Sequence, residues 1–164
     1  MEDAQINELQ TLLSKLEPGY LPQPIFLELA RLSVTAILEL VPLRKNRDNK
    51  IEVLVVKRPD NDPHWAGQFH TPGTVLLPTD DNDFQSALER VFREIDRDKG
   101  NYKLEKGESI FHSVRRGKEL AVICTTIIDD EKETDVWLCI DELEGKVVDT
   151  QFSFIQMAAE TFSF

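Results

Sequence analysis

The sequence predicts an α/β/α sandwich on a mixed β-sheet. Three observations point there: strand-like runs outnumber helical ones, short polar connections join several of them as hairpins, and one amphipathic helix follows a strand end marked by Pro72-Gly73. At 164 residues the chain has room for one domain with a sizeable core and none for a second. The expected division is an N-terminal helical segment over 1–32 and the sandwich over 33–164.

Ile6, Leu9, Leu12, Leu13 and Leu16 recur at three- and four-residue steps, so Ala4 to Leu16 reads as an amphipathic helix ended by Pro18-Gly19. Pro24 suits the first turn of a second helix carrying Phe26, Leu29, Ala30 and Leu32. Thr35 to Leu43 and Ile51 to Val56 are rich in Val, Ile and Leu and read as paired strands, with the polar Arg44 to Lys50 between them as the connection. Arg58 to His70 is dense in Pro, Asp, Asn and Gly and reads as a loop, after which Phe69 to Leu77 returns to extended character. Asp83 is the expected N-cap of a helix over Asp83 to Asp98, whose Phe84, Leu88, Val91, Phe92 and Ile95 share one face and which Gly100 can end. Ser109 to Val114, Leu120 to Ile128 and Asp135 to Ile140 complete the strands, and Asp149 to Phe162 is a final amphipathic helix.

The formal net charge is −11, which opposes nonspecific attraction to nucleic acid polymers or anionic lipid, since both bind through Lys and Arg. A small phosphate-bearing ligand needs only one local basic pocket and stays open. Cys124 and Cys139 lie in apolar strand-like runs, where reduced packing residues are the expectation. With no signal-like N-terminus and no uncharged run long enough to span a membrane, a cytoplasmic protein is expected.

The segment from Lys57-Arg58-Pro59 through Asp62-Pro63-His64-Trp65-Ala66-Gly67 to His70-Thr71-Pro72-Gly73-Thr74 resembles the approach to a Nudix box, where a strand ending in Arg passes an Asp-Pro-Trp loop to a Pro-Gly turn. The likeness covers about residues 33 to 145. It implies a Nudix-like sandwich with an extra N-terminal helix, and a box helix whose glutamates share one face to hold Mg²⁺ or Mn²⁺ against a diphosphate. In one register Arg93-Glu94-Ile95 matches the Arg-Glu-aliphatic core of the motif and Gly100 its closing glycine, which puts Arg97 and Asp98 on the paired glutamate positions. In a second register Val91, Glu94 and Ile95 occupy the glutamate positions, as in the variant box of the GDP-mannose hydrolase branch. Either way the box is degenerate, and Asp80 or Asp81 is the nearest stand-in for its first glutamate.

The resemblance implies these site residues: Glu94 and His70 for catalysis, Gly73 (through its carbonyl), Glu94 and Asp98 for metal, and Arg58, Trp65, Arg115 and Arg116 for substrate. Each has a plainer reading. Glu94 between Arg90 and Arg97 suits a solvated ion-pair stripe, Asp98 a helix terminus, and Arg115, Arg116 and Lys118 a hairpin with solvated charges. His64 reads as a loop histidine and His112 as a packed strand residue, while Trp65 either stacks on a ligand or anchors its own loop. Asp129 to Glu133 offers either a further site carboxylate or an exposed acidic hairpin.

The implied function is metal-dependent hydrolysis of a nucleoside diphosphate linked to another moiety, weakened or lost through the degraded box. The alternative is a noncatalytic nucleotide-binding or regulatory module. A third reading gives the N-terminal helix together with Phe152, Phe154, Phe162 and Phe164 a role as a homodimer surface.

Overall fold

The computed structural model describes residues 1–161. Two helices, α1 (Asp3–Leu13) and α2 (Gln23–Leu32), precede the strands β1 (Val34–Lys45) and β2 (Ile51–Lys57). Two short strands, β3 (Phe69–His70) and β4 (Gly73–Val75), lead to α3 (Gln85–Glu94). β5 (Leu104–Val114), β6 (Gly117–Ile127), β7 (Val136–Cys139) and α4 (Asp149–Thr161) follow. The main sheet runs β3-β2-β1-β6-β5, with β4 also paired to β1 and β7 to β2.

β1 organises this sheet. One edge pairs in parallel with β6 from Val34↔Lys118 to Leu43↔Ile127. The other edge pairs first with β4, at Ile37↔Val75 through Glu39↔Gly73, and then with β2, at Leu43↔Val53 through Lys45↔Ile51. The change of partner, between Glu39 and Leu43, makes a fork in the sheet.

Side chains alternate across a strand, so β1 feeds two cores. Leu38 and Leu40 pack with Ala87, Leu88, Val91 and Phe92 of α3 on one face. Ile37, Val41 and Leu43 pack with Phe154, Ile155 and Ala158 of α4 on the other. Helices thus cover both faces of a mixed sheet, as the sequence pattern indicated. α2 is fastened differently. A Cβ on Gly117, where φ is +148°, would lie 2.1 Å from the Ala30 carbonyl oxygen, so only glycine lets β6 pass beneath the end of that helix.

Both ends of α3 differ from expectation. Asp81, not Asp83, caps the helix, accepting from the N–H groups of Gln85 (2.7 Å) and Ser86 (2.8 Å) while Phe84 takes a left-handed φ of 61°. At the other end the chain leaves the helix after Glu94. Asp96 adopts a φ of 54°, and the N–H groups of Asp96 and Arg97 close onto the carbonyls of Arg93 (3.0 Å) and Phe92 (2.8 Å). This is the Schellman arrangement, with Asp96 in the role expected of Gly100. Arg97 and Asp98 therefore lie beyond the helix.

Phe154 is 1% exposed inside the α4 core and offers no docking surface, while Phe152 is partly buried against that core. Phe162 and Phe164 lie outside the described residues. Cys124 is buried and both cysteines are free. Among the described residues, no helix is long and apolar enough to cross a membrane.

Candidate functional site

A polar cleft of 450 Å³ opens beside the β1 fork, walled by Glu39, Arg58, His70, Gly73, Glu94 and Arg116 among others. Six places in the fold supply these walls, the first being β1, which carries Glu39. Arg58 follows β2, His70 ends β3, Gly73 starts β4, Glu94 is the last residue of α3, and Arg116 sits in the β5–β6 turn.

Trp65, only 8% exposed, anchors the loop between β2 and β3 and is unavailable for stacking on a ligand. Instead it supports the two cleft arginines, with the Arg58 guanidinium 5.0 Å and that of Arg116 5.4 Å from its ring centroid. Asp62 fixes this loop, accepting from the N–H groups of His64 and Trp65 (2.9 Å each) and from Arg58 Nη1 (3.0 Å). Burial opposes charge on Asp62, but those two N–H groups and Arg58 outweigh it and hold the carboxyl below its ordinary range. Arg116 donates through Nε to the buried Glu119. Each guanidinium keeps further N–H donors, and Arg58 Nε is buried without an acceptor.

Glu39 lies at the bottom of the cleft. Its Oε2 accepts from Thr71 Oγ1 (2.8 Å) and from Gln151 Nε2 of α4 (3.2 Å), while Gln151 Oε1 accepts from the Thr71 N–H (2.7 Å). Burial pushes the Glu39 carboxyl up to about 8; the Thr71 hydroxyl pulls it down, Glu119 adds to the rise, and Arg58 and Arg116 oppose it. His70 moves the other way. Burial and then Arg58 bring it down to about 4, leaving the ring neutral at pH 7. Its Nδ1 lies 2.6 Å from the Thr71 carbonyl oxygen and must donate there, so Nε2 keeps its lone pair as an acceptor.

Glu94 is exposed as a residue, but its carboxyl lies toward the Gly73 N–H on the cleft wall. Burial of that carboxyl raises it above the usual carboxylate range, against the pull of the Gly73 N–H and Arg58. It is not part of an ion-pair stripe. Arg90 turns to Asp80 and the Val75 carbonyl, and Arg97 forms a two-pronged pair with Asp135 at 3.0 and 2.6 Å.

The remaining carboxylates expected near the site are used elsewhere. Asp98 is exposed and accepts from the Gly100 N–H at 2.9 Å, away from the cleft. Asp80, held near 2 chiefly by Arg90, also takes the Leu77 N–H, while Asp81 is spent on the α3 cap. Asp130 meets Tyr102 and Arg97, and Glu131 pairs with Arg44. Arg115 donates to the His64 carbonyl, away from the cleft walls, and the ring of His112 packs edge-on against Phe154 at 5.0 Å.

Among the described residues, no group of three or more His, Cys, Asp and Glu side chains converges as a cation site. Glu94 is the lone carboxylate that the box helix brings to the cleft, and it has the Gly73 N–H and Arg58 nearby. This donor set does not fit Mg²⁺, which needs several oxygen ligands in octahedral array.

Sequence reasoning brought Arg58, His70, Gly73, Glu94 and Arg116 to one cleft and missed Glu39, Thr71 and Gln151. Glu39 carried a signal: it is the single charge in the apolar run Thr35 to Leu43.

No protein-family model matches the sequence, and no curated protein does. Solved structures do resemble the fold. The Nudix domain of Shewanella oneidensis NrtR, solved with ADP-ribose, superposes with a TM-score of 0.64 at 17% identity, covering 99% of this chain and 100% of that one. An Ap4A hydrolase of C. elegans gives 0.56 at 16% identity, over 80% and 100% of the two chains. A Nudix hydrolase from Alicyclobacillus acidocaldarius gives 0.57 at 13% identity, over 77% and 92%.

Proposed function

We propose that this chain, which carries the Nudix fold, binds a nucleoside diphosphate linked to another moiety and holds its phosphates with Arg58 and Arg116 in place of a divalent ion. The observation that carries this is the pair of guanidiniums stacked on Trp65 at the cleft wall, with Arg58 Nε buried and lacking an acceptor. Guanidinium donors in a fixed plane suit phosphate oxygens, and a stacked platform sets that plane before the ligand arrives. With Glu39 protonated, the carboxyl at the bottom of the cleft adds no negative charge to repel the ligand. ADP-ribose, the ligand of the NrtR domain, is the first compound to try.

Metal-dependent hydrolysis is the second reading, favoured by one observation: Glu94, common to both registers of the box, does line the cleft. Calorimetric titration with ADP-ribose separates the two. Phosphate capture by arginine predicts that Arg58→Ala weakens binding at least about tenfold, the loss of one charge-assisted contact, and that no ADP-ribose is cleaved. Binding untouched by Arg58→Ala, or cleavage abolished by Glu94→Gln, would decide for the hydrolase.

A further inference from the structure

We infer that the moiety joined to the phosphates is a large apolar group, seated in a groove that continues the cleft. The inference rests on the phosphate-binding reading above and adds the chemical class of the ligand's other end. A groove of 720 Å³ lies between the α1–α2 connection, α2 and the segment after β4. Tyr20 and Val75 line both this groove and the polar cleft, so the two spaces share a border. Beyond that border the walls change character, with Leu16, Leu21, Phe26, Leu29, Leu76 and Leu77 facing the space. Glu17, Gln23 and the Tyr20 hydroxyl are the polar side-chain groups in the lining.

Tyr20 marks the change. Its hydroxyl is 3.5 Å from Thr74 Oγ1 and its ring lies 6.0 Å from the Arg90 guanidinium, so its polar side belongs to the cleft. A second nucleoside or a sugar in the groove would leave hydroxyls and ring nitrogens against leucine and phenylalanine, at a desolvation cost. A hydrocarbon chain meets that wall without such loss and gains from leaving water. A single ligand with phosphates between the arginines and a hydrocarbon tail past Tyr20 fits both halves of the surface.

The test titrates the full chain with farnesyl diphosphate, inorganic pyrophosphate and farnesol, with oligomeric state followed by sedimentation. Farnesyl diphosphate is expected to bind at least tenfold more tightly than either fragment. Leu29→Glu, at a position already 38% exposed, is expected to erase the difference between the two diphosphates, while Arg58→Ala weakens both and keeps it. Pyrophosphate bound as well as farnesyl diphosphate would overturn the inference and leave phosphate capture standing. Failure of both diphosphates while ADP-ribose binds would overturn the inference and leave phosphate capture standing; failure of all three would remove phosphate capture, and the inference with it. A farnesyl preference that survives Leu29→Glu, or a dimer whose formation excludes farnesyl diphosphate, would assign the groove otherwise and overturn the inference.

Discussion

Gly73 faces Glu39 across the β1–β4 ladder, and a Cβ on Gly73 would lie 2.5 Å from Glu39 Oε2. The carboxyl is not free to yield, because Thr71 and Gln151 hold that same oxygen. Gly73→Ala is therefore expected to destabilise the fold by about 1–3 kcal/mol, the usual cost of overpacking. Chemical denaturation of Gly73→Ala in the wild-type and Glu39→Ala backgrounds checks it. The cost should shrink when the carboxyl is removed, and an equal cost in both would place the strain elsewhere.

The Glu39 carboxyl makes stability depend on pH in a defined direction. Its folded value of about 8 exceeds the ordinary 4.5, so the native state holds a proton that the unfolded chain has released. Taken alone, this group should lower stability as pH rises from 4.5 to 8, by up to about 1.4 kcal/mol per pH unit. Glu39→Gln should abolish that decline, and its melting temperature should exceed wild type most clearly at pH 8 and above.

His70 acts in the opposite sense. Its folded value of about 4 lies below the ordinary 6.5, so its contribution is present above pH 6.5 and lost as pH falls toward 4. Between 4.5 and 6.5 the two groups oppose each other, and the wild-type profile should be nearly flat there. Thermal melts of Glu39→Gln should uncover a rise with pH across that window. A profile still flat in the variant would mean that His70 is not the group that titrates.

Arg97 anchors the acidic loop and has no part in a metal site. Its side chain is 1% exposed and its partner Asp135 5% exposed, so Arg97→Ala should cost about 3–5 kcal/mol by leaving a buried carboxylate unpaired. Arg97→Glu, which returns one glutamate to the first register of the box, should give no Mg²⁺ affinity, because the chain has already left the helix at Asp96. Calorimetry with Mg²⁺ on that variant checks it; tight binding would show that position 97 can return to the site.

The sandwich was legible in the sequence because burial imposes a period. Leu38 and Leu40 against Ile37, Val41 and Leu43 is the alternation of a strand covered on both faces, and Leu88, Val91 and Phe92 give the stripe of α3. Arg58 and Gly73 were legible because the turn between β2 and β4 is local and dense in signals. The limits of α3 were not. An Asp in the left-handed region ends the helix, a conformation that sequence alone expects of Gly100, and Asp81 takes the cap because the turn at Phe84 aims it there. Gln151 could not be found at all, since it meets Glu39 from 112 residues away. Trp65 was expected among the substrate residues, with a loop anchor as its plainer reading, and its hold on two arginines depends on the β5–β6 turn arriving beside it.

The central claim, that arginines stand in for a metal in phosphate capture, is tested most directly by titrating ADP-ribose into the protein with EDTA present and again with excess Mg²⁺. Arg58 and Arg116 predict dissociation constants that agree within about twofold and intact ADP-ribose in both cells. Affinity or cleavage that appears only with Mg²⁺ would contradict it and return the function to the Glu94 carboxylate.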